Sequence, residues 1–270
     1  MPVSDLMHGK QITTGKLEGD RGVTWTPDGK IVYTSLAGGN MDLWIMNADG
    51  SNQKQLTSDA AMDYGPYVSP DGRYIFFGSF RGPLPSIWRM DIDGNNSKQI
   101  TDQEDYLQDI TPDRKWVIFT SWRSTKLALW RVSIDGGQPE QISNLFISQA
   151  RVSPDGKTLV CRQTDENPNS PARLILMPLE GGTPTRSFDL PVTVFGAPEW
   201  APDGKSVYVV DSRTGTPNLW SVPLDGSPMK QLTDFKPDGV FGRQLSFDGK
   251  FMAISRGLVT GDVVLISDFR

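Results

Sequence analysis

Two residues limit the side-chain chemistry open to this 270-residue chain: His8 is its only histidine and Cys161 its only cysteine. A Ser-His-Asp triad would have to use His8, which lies in the N-terminal tail, and no Gly-x-Ser-x-Gly elbow accompanies it. A histidine-based metal site needs a second imidazole or thiolate, and an internal disulfide needs a second cysteine. His8 therefore reads as an ordinary exposed residue, with no metal and no cofactor expected. Cys161 closes the apolar run Thr158-Leu159-Val160-Cys161 and is expected to be buried and inert, since a reactive thiol needs exposure and an electropositive neighbour. Asp91-Ile92-Asp93-Gly94-Asn95-Asn96 opens like a calcium loop but lacks the downstream bidentate glutamate. A hairpin turn accounts for the same residues.

Carboxylates are the one catalytic resource in supply. With 32 Asp and Glu residues, an Asp/Glu pair acting on a glycan as hydrolase or lyase is the alternative to a non-enzymatic protein. The Ser-x-Asp-x-Gly-x-Thr-Trp boxes of sialidases are absent. Arg81, Arg123 and Arg213 resemble a carboxylate-binding cluster, yet they recur at one position of a repeat, which favours structural ion pairs.

That repeat sets the elements. A Pro-Asp-Gly turn or a close variant places aspartates at Asp28, Asp71, Asp113, Asp155, Asp203 and Asp248, spaced 43, 42, 42, 48 and 45 residues apart. Each unit reads as four short strands, A to D. Strand A runs into the Pro-Asp-Gly turn, and strand C repeats a bulky centre at Trp44, Trp88, Trp130, Ile175, Trp220 and Val264. An Asp-Gly or Gly-Gly turn then leads to strand D; both turns are hairpin signals. One such sheet cannot cover its own apolar faces, whereas radial packing of several can. The expected fold is an all-β, six-bladed β-propeller of four-stranded antiparallel blades in one domain, residues 1–270. Its blades are expected at about 14–57, 58–101, 102–143, 144–188, 189–233 and 234–270, the last completed by residues 9–13. Lys10-Gln11-Ile12-Thr13 copies the strand D text Lys98-Gln99-Ile100-Thr101, so the N-terminal strand is expected to close the ring.

The repeat text resembles the TolB-like propellers. Ser69-Pro70-Asp71-Gly72 with Ser79-Phe80-Arg81, and Ser153-Pro154-Asp155-Gly156, match that family's pattern. Arg114 in place of the turn glycine and Phe247 in place of the turn proline depart from it. The closing text, Ser255-Arg256-Gly257 and residues 262–270, is similar to the ends of sensor propellers fused behind bacterial serine/threonine kinases or winged-helix regulators. The resemblance implies a sensor or interaction module, a monomer that belongs to a larger fused protein, and a periplasmic or otherwise extracytoplasmic location.

Composition agrees with a binding module. A net charge of −5 and a pI near 5.0 argue against a nucleic-acid surface. No run approaches the ~20 apolar residues of a spanning helix, so no direct membrane insertion is expected, and residues 1–10 do not read as a signal peptide. The turn face repeats itself, while the B–C and D–A loops differ from unit to unit, and function on rigid scaffolds concentrates in such loops. Lining up the start of strand A places Asp20, Tyr64, Tyr106, Ser148, Gly196 and Phe241 near the channel mouth. Three residues on come Val23, Tyr67, Asp109, Arg151, Glu199 and Gln244. The expected ligand site comprises Tyr64, Tyr106, Asp109, Trp122, Arg151, Glu199, Phe241 and Gln244, binding a protein, a peptide or a small polar ligand. The competing reading pairs Asp109 with Arg151, and Arg151 with Glu199, as mutually satisfied ions.

Overall fold

In five of the six repeats a hydroxyl side chain holds shut the turn that follows the first strand. The structure, a computed structural model, describes residues 2–15, 18–19, 21–164 and 170–258. In the second repeat Ser69 Oγ donates to Asp71 Oδ1 at 2.7 Å and accepts the Tyr74 N–H at 3.0 Å. The same clasp recurs with Thr26, Thr111, Ser153 and Ser246. Pro-Asp-Gly text folds this way because the short polar side chains replace the backbone partners a tight turn leaves open. Arg114 takes the glycine position with φ of 62°, at a cost of about 1 kcal/mol relative to glycine. Its guanidinium reaches Asp71 of the preceding repeat at 3.4 Å.

These turns join antiparallel strands into sheets of consecutive order. Blade one holds β1 (Val23–Trp25), β2 (Lys30–Ser35), β3 (Asp42–Asn47) and β4 (Lys54–Gln55). Blade two holds β5 (Asp63–Val68), β6 (Tyr74–Ser79), β7 (Ser86–Asp91) and β8 (Lys98–Gln99). Blade three holds β9 (Asp105–Ile110), β10 (Trp116–Ser121), β11 (Ala128–Ser133) and β12 (Glu140–Ser143). Blade four holds β13 (Ile147–Val152), β14 (Thr158–Gln163), β15 (Arg173–Pro178) and β16 (Arg186–Asp189). Blade five holds β17 (Val194–Trp200), β18 (Ser206–Asp211), β19 (Asn218–Pro223) and β20 (Lys230–Gln231). The last repeat supplies a two-stranded hairpin, β21 (Gly239–Leu245) and β22 (Met252–Gly257).

The all-β propeller stands, but six four-stranded blades do not. Among the described residues there are five such blades and the terminal hairpin. The expected closing strand is not formed either: among the described residues, residues 9–14 make no ladder. Val264 and the rest of the expected last strand C lie outside the described residues. The N-terminal segment is nonetheless anchored. Val3 N–H donates to Lys250 O at 2.8 Å, and Pro2 forms an isolated bridge with Phe251. Leu6 is buried against Tyr208, Leu219 and Met252, and Ile12 packs on the cluster of Trp25 and Met46.

Burial between sheets holds the blades together. Phe77, Ile75 and Val32 fill the space between blades one and two, and Phe76, Phe119 and Val117 that between two and three. Ile118, Leu159 and Cys161 follow between three and four, then Leu174, Val207 and Val209 between four and five. Every one of these side chains is essentially inaccessible to solvent, and each contributes roughly 1.5–3 kcal/mol when fully buried as a Val, Leu, Ile or Phe. The first strands touch in the order β21, β1, β5, β9, β13, β17, which places them around one central axis.

Candidate functional site

The first strands that meet at the axis are irregular in a repeated way. Bulges interrupt β5, β9, β13, β17 and β21 against their partners. A bulge re-aims the side chains beside it, and here it lies next to the charged positions. The ladders put Thr24, Tyr67, Asp109, Arg151, Glu199 and Gln244 at equivalent places, opposite Val32, Phe76, Ile118, Val160, Tyr208 and Ala253. In blade one the equivalent residue is thus Thr24 rather than Val23.

A cavity of about 270 Å³ opens among these strands, and Arg151, Glu199, Gln244 and Phe241 line it. Tyr67, Gln108, Gln149, Arg21 and Arg243 line it as well. Asp109, Tyr64, Tyr106 and Trp122 are not in its wall. Asp20 lies outside the described residues. Tyr64 packs against Phe80 with ring centroids 5.7 Å apart. Its ring fills the space beside Gly78, where a Cβ would come within 2.5 Å of it. Tyr106 donates its hydroxyl to Glu104 Oε1 at 2.6 Å; burial and that carboxylate push the phenol up to about 12. Trp122 is 46% exposed and meets Phe146 edge-on at 5.7 Å.

The charged ring does not pair with itself as the simplest reading expects. Asp109 Oδ2 accepts the Val152 N–H of blade four at 2.8 Å, and Oδ1 accepts the Ile110 N–H at 2.8 Å. Arg151 Nη1 donates back to Gln108 O of blade three at 2.6 Å and to Ala150 O at 2.9 Å. The arrangement recurs one step on. Glu199 Oε1 accepts the Leu245 N–H of the terminal hairpin at 3.2 Å, while Arg243 Nη2 donates to Ala197 O and Tyr208 O of blade five at 2.6 and 2.9 Å. Each acid takes a backbone N–H from the next sheet, and each arginine gives to at least one backbone carbonyl of the previous one. Oppositely charged neighbours act on one another across space without a direct contact.

Burial dominates the electrostatics. It pushes the Asp109 carboxyl up to about 6 against the pull of Arg151 and two backbone N–H groups. It raises Glu199 against Arg151 and Arg243, and it raises the Tyr67 phenol. Arg243 falls to about 10 through burial, with Arg151 adding to the fall and Glu199 opposing it. Burial works against the charge of Arg151 too, yet Tyr67, Asp109 and Glu199 hold it above its ordinary value. The Arg151 guanidinium lies 5.0 Å from the centre of the Tyr67 ring, a cation–π geometry that fixes its plane.

Arg243 lies outside the one position per repeat that lines up at Gln244, so the alignment of repeats does not single it out. The signal was a charged residue directly before Gln244 in the strand Gly239–Leu245. The repeated arginines are structural. Arg81 binds the buried Asp63 at 2.7 Å, and Arg123 binds the buried Asp105 at 2.7 Å; Arg213 pairs with the buried Asp211. Asp211 sits across the ladder from Val194, the place that Ser79 and Ser121 hold opposite Asp63 and Asp105. The carboxylate has therefore changed strands while keeping its site. His8 is exposed beside Asp5 at 2.9 Å, and burial raises the Cys161 thiol. Asp91, Asp93, Asn95 and Asn96 bond one another across the β7–β8 turn. Among the described residues no three His, Cys, Asp or Glu side chains are grouped to hold a metal.

A larger groove of about 540 Å³ lies between blades one and two at the turn face, lined by Asp28, Lys54, Asp71 and Asp93 with Ile45 and Leu56. Its residues repeat in other blades, so it has none of the individuality of the channel cavity. The channel is the candidate site.

Residues 38–250 match the model of the family described as the tricorn protease N-terminal beta propeller domain. A 46-residue stretch is 48% identical to the Tol-Pal system protein TolB of Anaeromyxobacter dehalogenans, covering 17% of this chain and 11% of that protein. TolB from Acinetobacter baumannii superposes with a TM-score of 0.67 at 23% identity, over 78% of this chain and 54% of that one. A putative TolB from Agrobacterium tumefaciens does so with a TM-score of 0.63 at 24% identity, over 72% and 74% of the two chains. At these identities the solved structures speak for the fold, which is a TolB-like β-propeller.

Proposed function

The chain belongs to the family of the tricorn protease N-terminal β-propeller domain, and from that premise we propose that it is a non-enzymatic recognition propeller. Its ligand is a peptide or protein segment, bound at the mouth of the channel. One observation carries this reading: the channel cavity is walled by polar residues that differ from repeat to repeat, whereas the turn face repeats itself. Apolar strand positions would suffice to pack an axis, so Arg151, Glu199, Arg243 and Gln244 call for another account, and ligand contact is one. The Anaeromyxobacter relative is named a Tol-Pal system protein, and the resemblance to that family favours protein binding and an extracytoplasmic place.

Glycan cleavage fits the site less well. A glycosidase flanks its bond with two carboxyl groups about 5–9 Å apart, but among the described residues Glu199 is the one acid in the cavity wall. Asp109 is occupied by two backbone N–H groups.

The test is to select peptides against the intact chain from a random library and titrate the survivors calorimetrically into variants. Arg151→Ala should weaken them at least tenfold, and Lys157→Ala on the turn face should leave them unchanged. Affinity that survives Arg151→Ala and falls with Lys157→Ala would move the site off the channel.

A further inference from the structure

Resting on that reading, we propose that the channel cavity takes a carboxylate of the bound segment, held between the guanidinium groups of Arg151 and Arg243. Both side chains line the cavity, and both are fixed from behind. Arg151 uses one terminal nitrogen, Nη1, on the carbonyls of Gln108 and Ala150. Arg243 likewise uses only Nη2, on those of Ala197 and Tyr208. A guanidinium has five N–H donors in a rigid fork. The Nε of each is buried with no partner, and among the described residues the other terminal nitrogen of each makes no hydrogen bond either. The site therefore holds donors in excess of acceptors, on side chains that have already lost their freedom. Such a pair is preorganised for an oxyanion.

The wall selects among oxyanions. Glu199 shares the wall with Arg151 and Arg243 and opposes any second negative charge placed beside it. A phosphate would bring nearly two, next to Glu199. A carboxylate is planar and singly charged, the shape an arginine fork meets best. Size points the same way. About 270 Å³ falls below the roughly 300–1,000 Å³ of pockets that enclose a whole small ligand. The cavity suits the tip of a chain, either a C-terminal carboxylate or an Asp or Glu side chain.

Three synthetic random hexapeptide libraries separate these sources: free C-termini without Asp or Glu, amidated C-termini with Asp and Glu, and amidated C-termini without them. They are screened on the unsubstituted chain, and binders are then titrated into Arg151→Met and Arg243→Met. The expected result is binders from the first or second library, none within tenfold from the third, and at least a tenfold loss in both variants. The library that yields them identifies the source of the carboxylate. Binders of equal affinity from the third library that still depend on Arg151 would overturn the carboxylate while leaving channel recognition in place. Binders indifferent to both substitutions, or no binder from any library, would overturn both. Because the library comparison uses the unsubstituted chain, it decides the matter even if a variant does not fold.

Discussion

Asp109 shows how the channel couples protonation to stability. Its two oxygens accept backbone N–H groups from blades three and four, so it fastens one blade to the next. Burial still pushes its carboxyl up to about 6, above the ordinary value near 3.8. A group raised in the folded state stabilises fully below its unfolded pKa and loses that contribution as pH rises through its folded pKa. Glu199 is raised in the same direction. The unfolding free energy should therefore fall between about pH 4 and pH 7. The part from Asp109 is roughly 1–3 kcal/mol, at 1.36 kcal/mol per unit with allowance for its partial exposure. Urea unfolding across that range checks it, and Asp109→Asn should flatten the slope. A slope that is flat in the unsubstituted chain, or unaltered by the substitution, would show that Asp109 stays ionised at no cost.

At the scale of elements, the repeat was legible because it is written in residues with local meaning. Asp28, Asp71, Asp113, Asp155, Asp203 and Asp248 marked real turns, since Ser/Thr-Pro-Asp-Gly text closes on itself without distant contacts. Channel residues were legible by difference: Arg151 and Glu199 are out of place among apolar strands. Their bonding was not, because a backbone N–H in the neighbouring sheet leaves no mark on composition. Strand pairing was also beyond local text. Residues 10–13 copy a strand D, yet among the described residues they join no ladder, since pairing is set by a neighbour's edge and not by the segment's own residues. What the segment does instead is pack. Lys10 Nζ reaches Asp49 O at 3.4 Å, as Lys54 reaches Asp93 O at 3.1 Å, and Leu6 is 7% exposed in the cluster of blade five and the hairpin. Leu6→Ala should cost about 2–5 kcal/mol, and deletion of residues 2–13 should cost more. Both are read as a lower urea midpoint. A deletion that leaves the midpoint unchanged would show that the segment rests on the surface without holding the hairpin.

For the molecule as a whole, the contrast is between two faces. Turns built from the same few residues present one chemistry all around the ring, while the channel presents a different residue from each sheet. A repeat protein gains selectivity only where its copies differ, and the channel cavity is one such place. The arginine and acid contacts across blades three and four, and across blade five and the hairpin, hold that cavity open with its donors in place. Backbone amide shifts measured by NMR, as a library-selected peptide is added, test this most directly. The largest changes should fall on Gly65, Gly196 and Gly242, in the cavity wall, while Gly50, Gly94 and Gly181 of the turn face stay still. Changes confined to those turn-face glycines would contradict it.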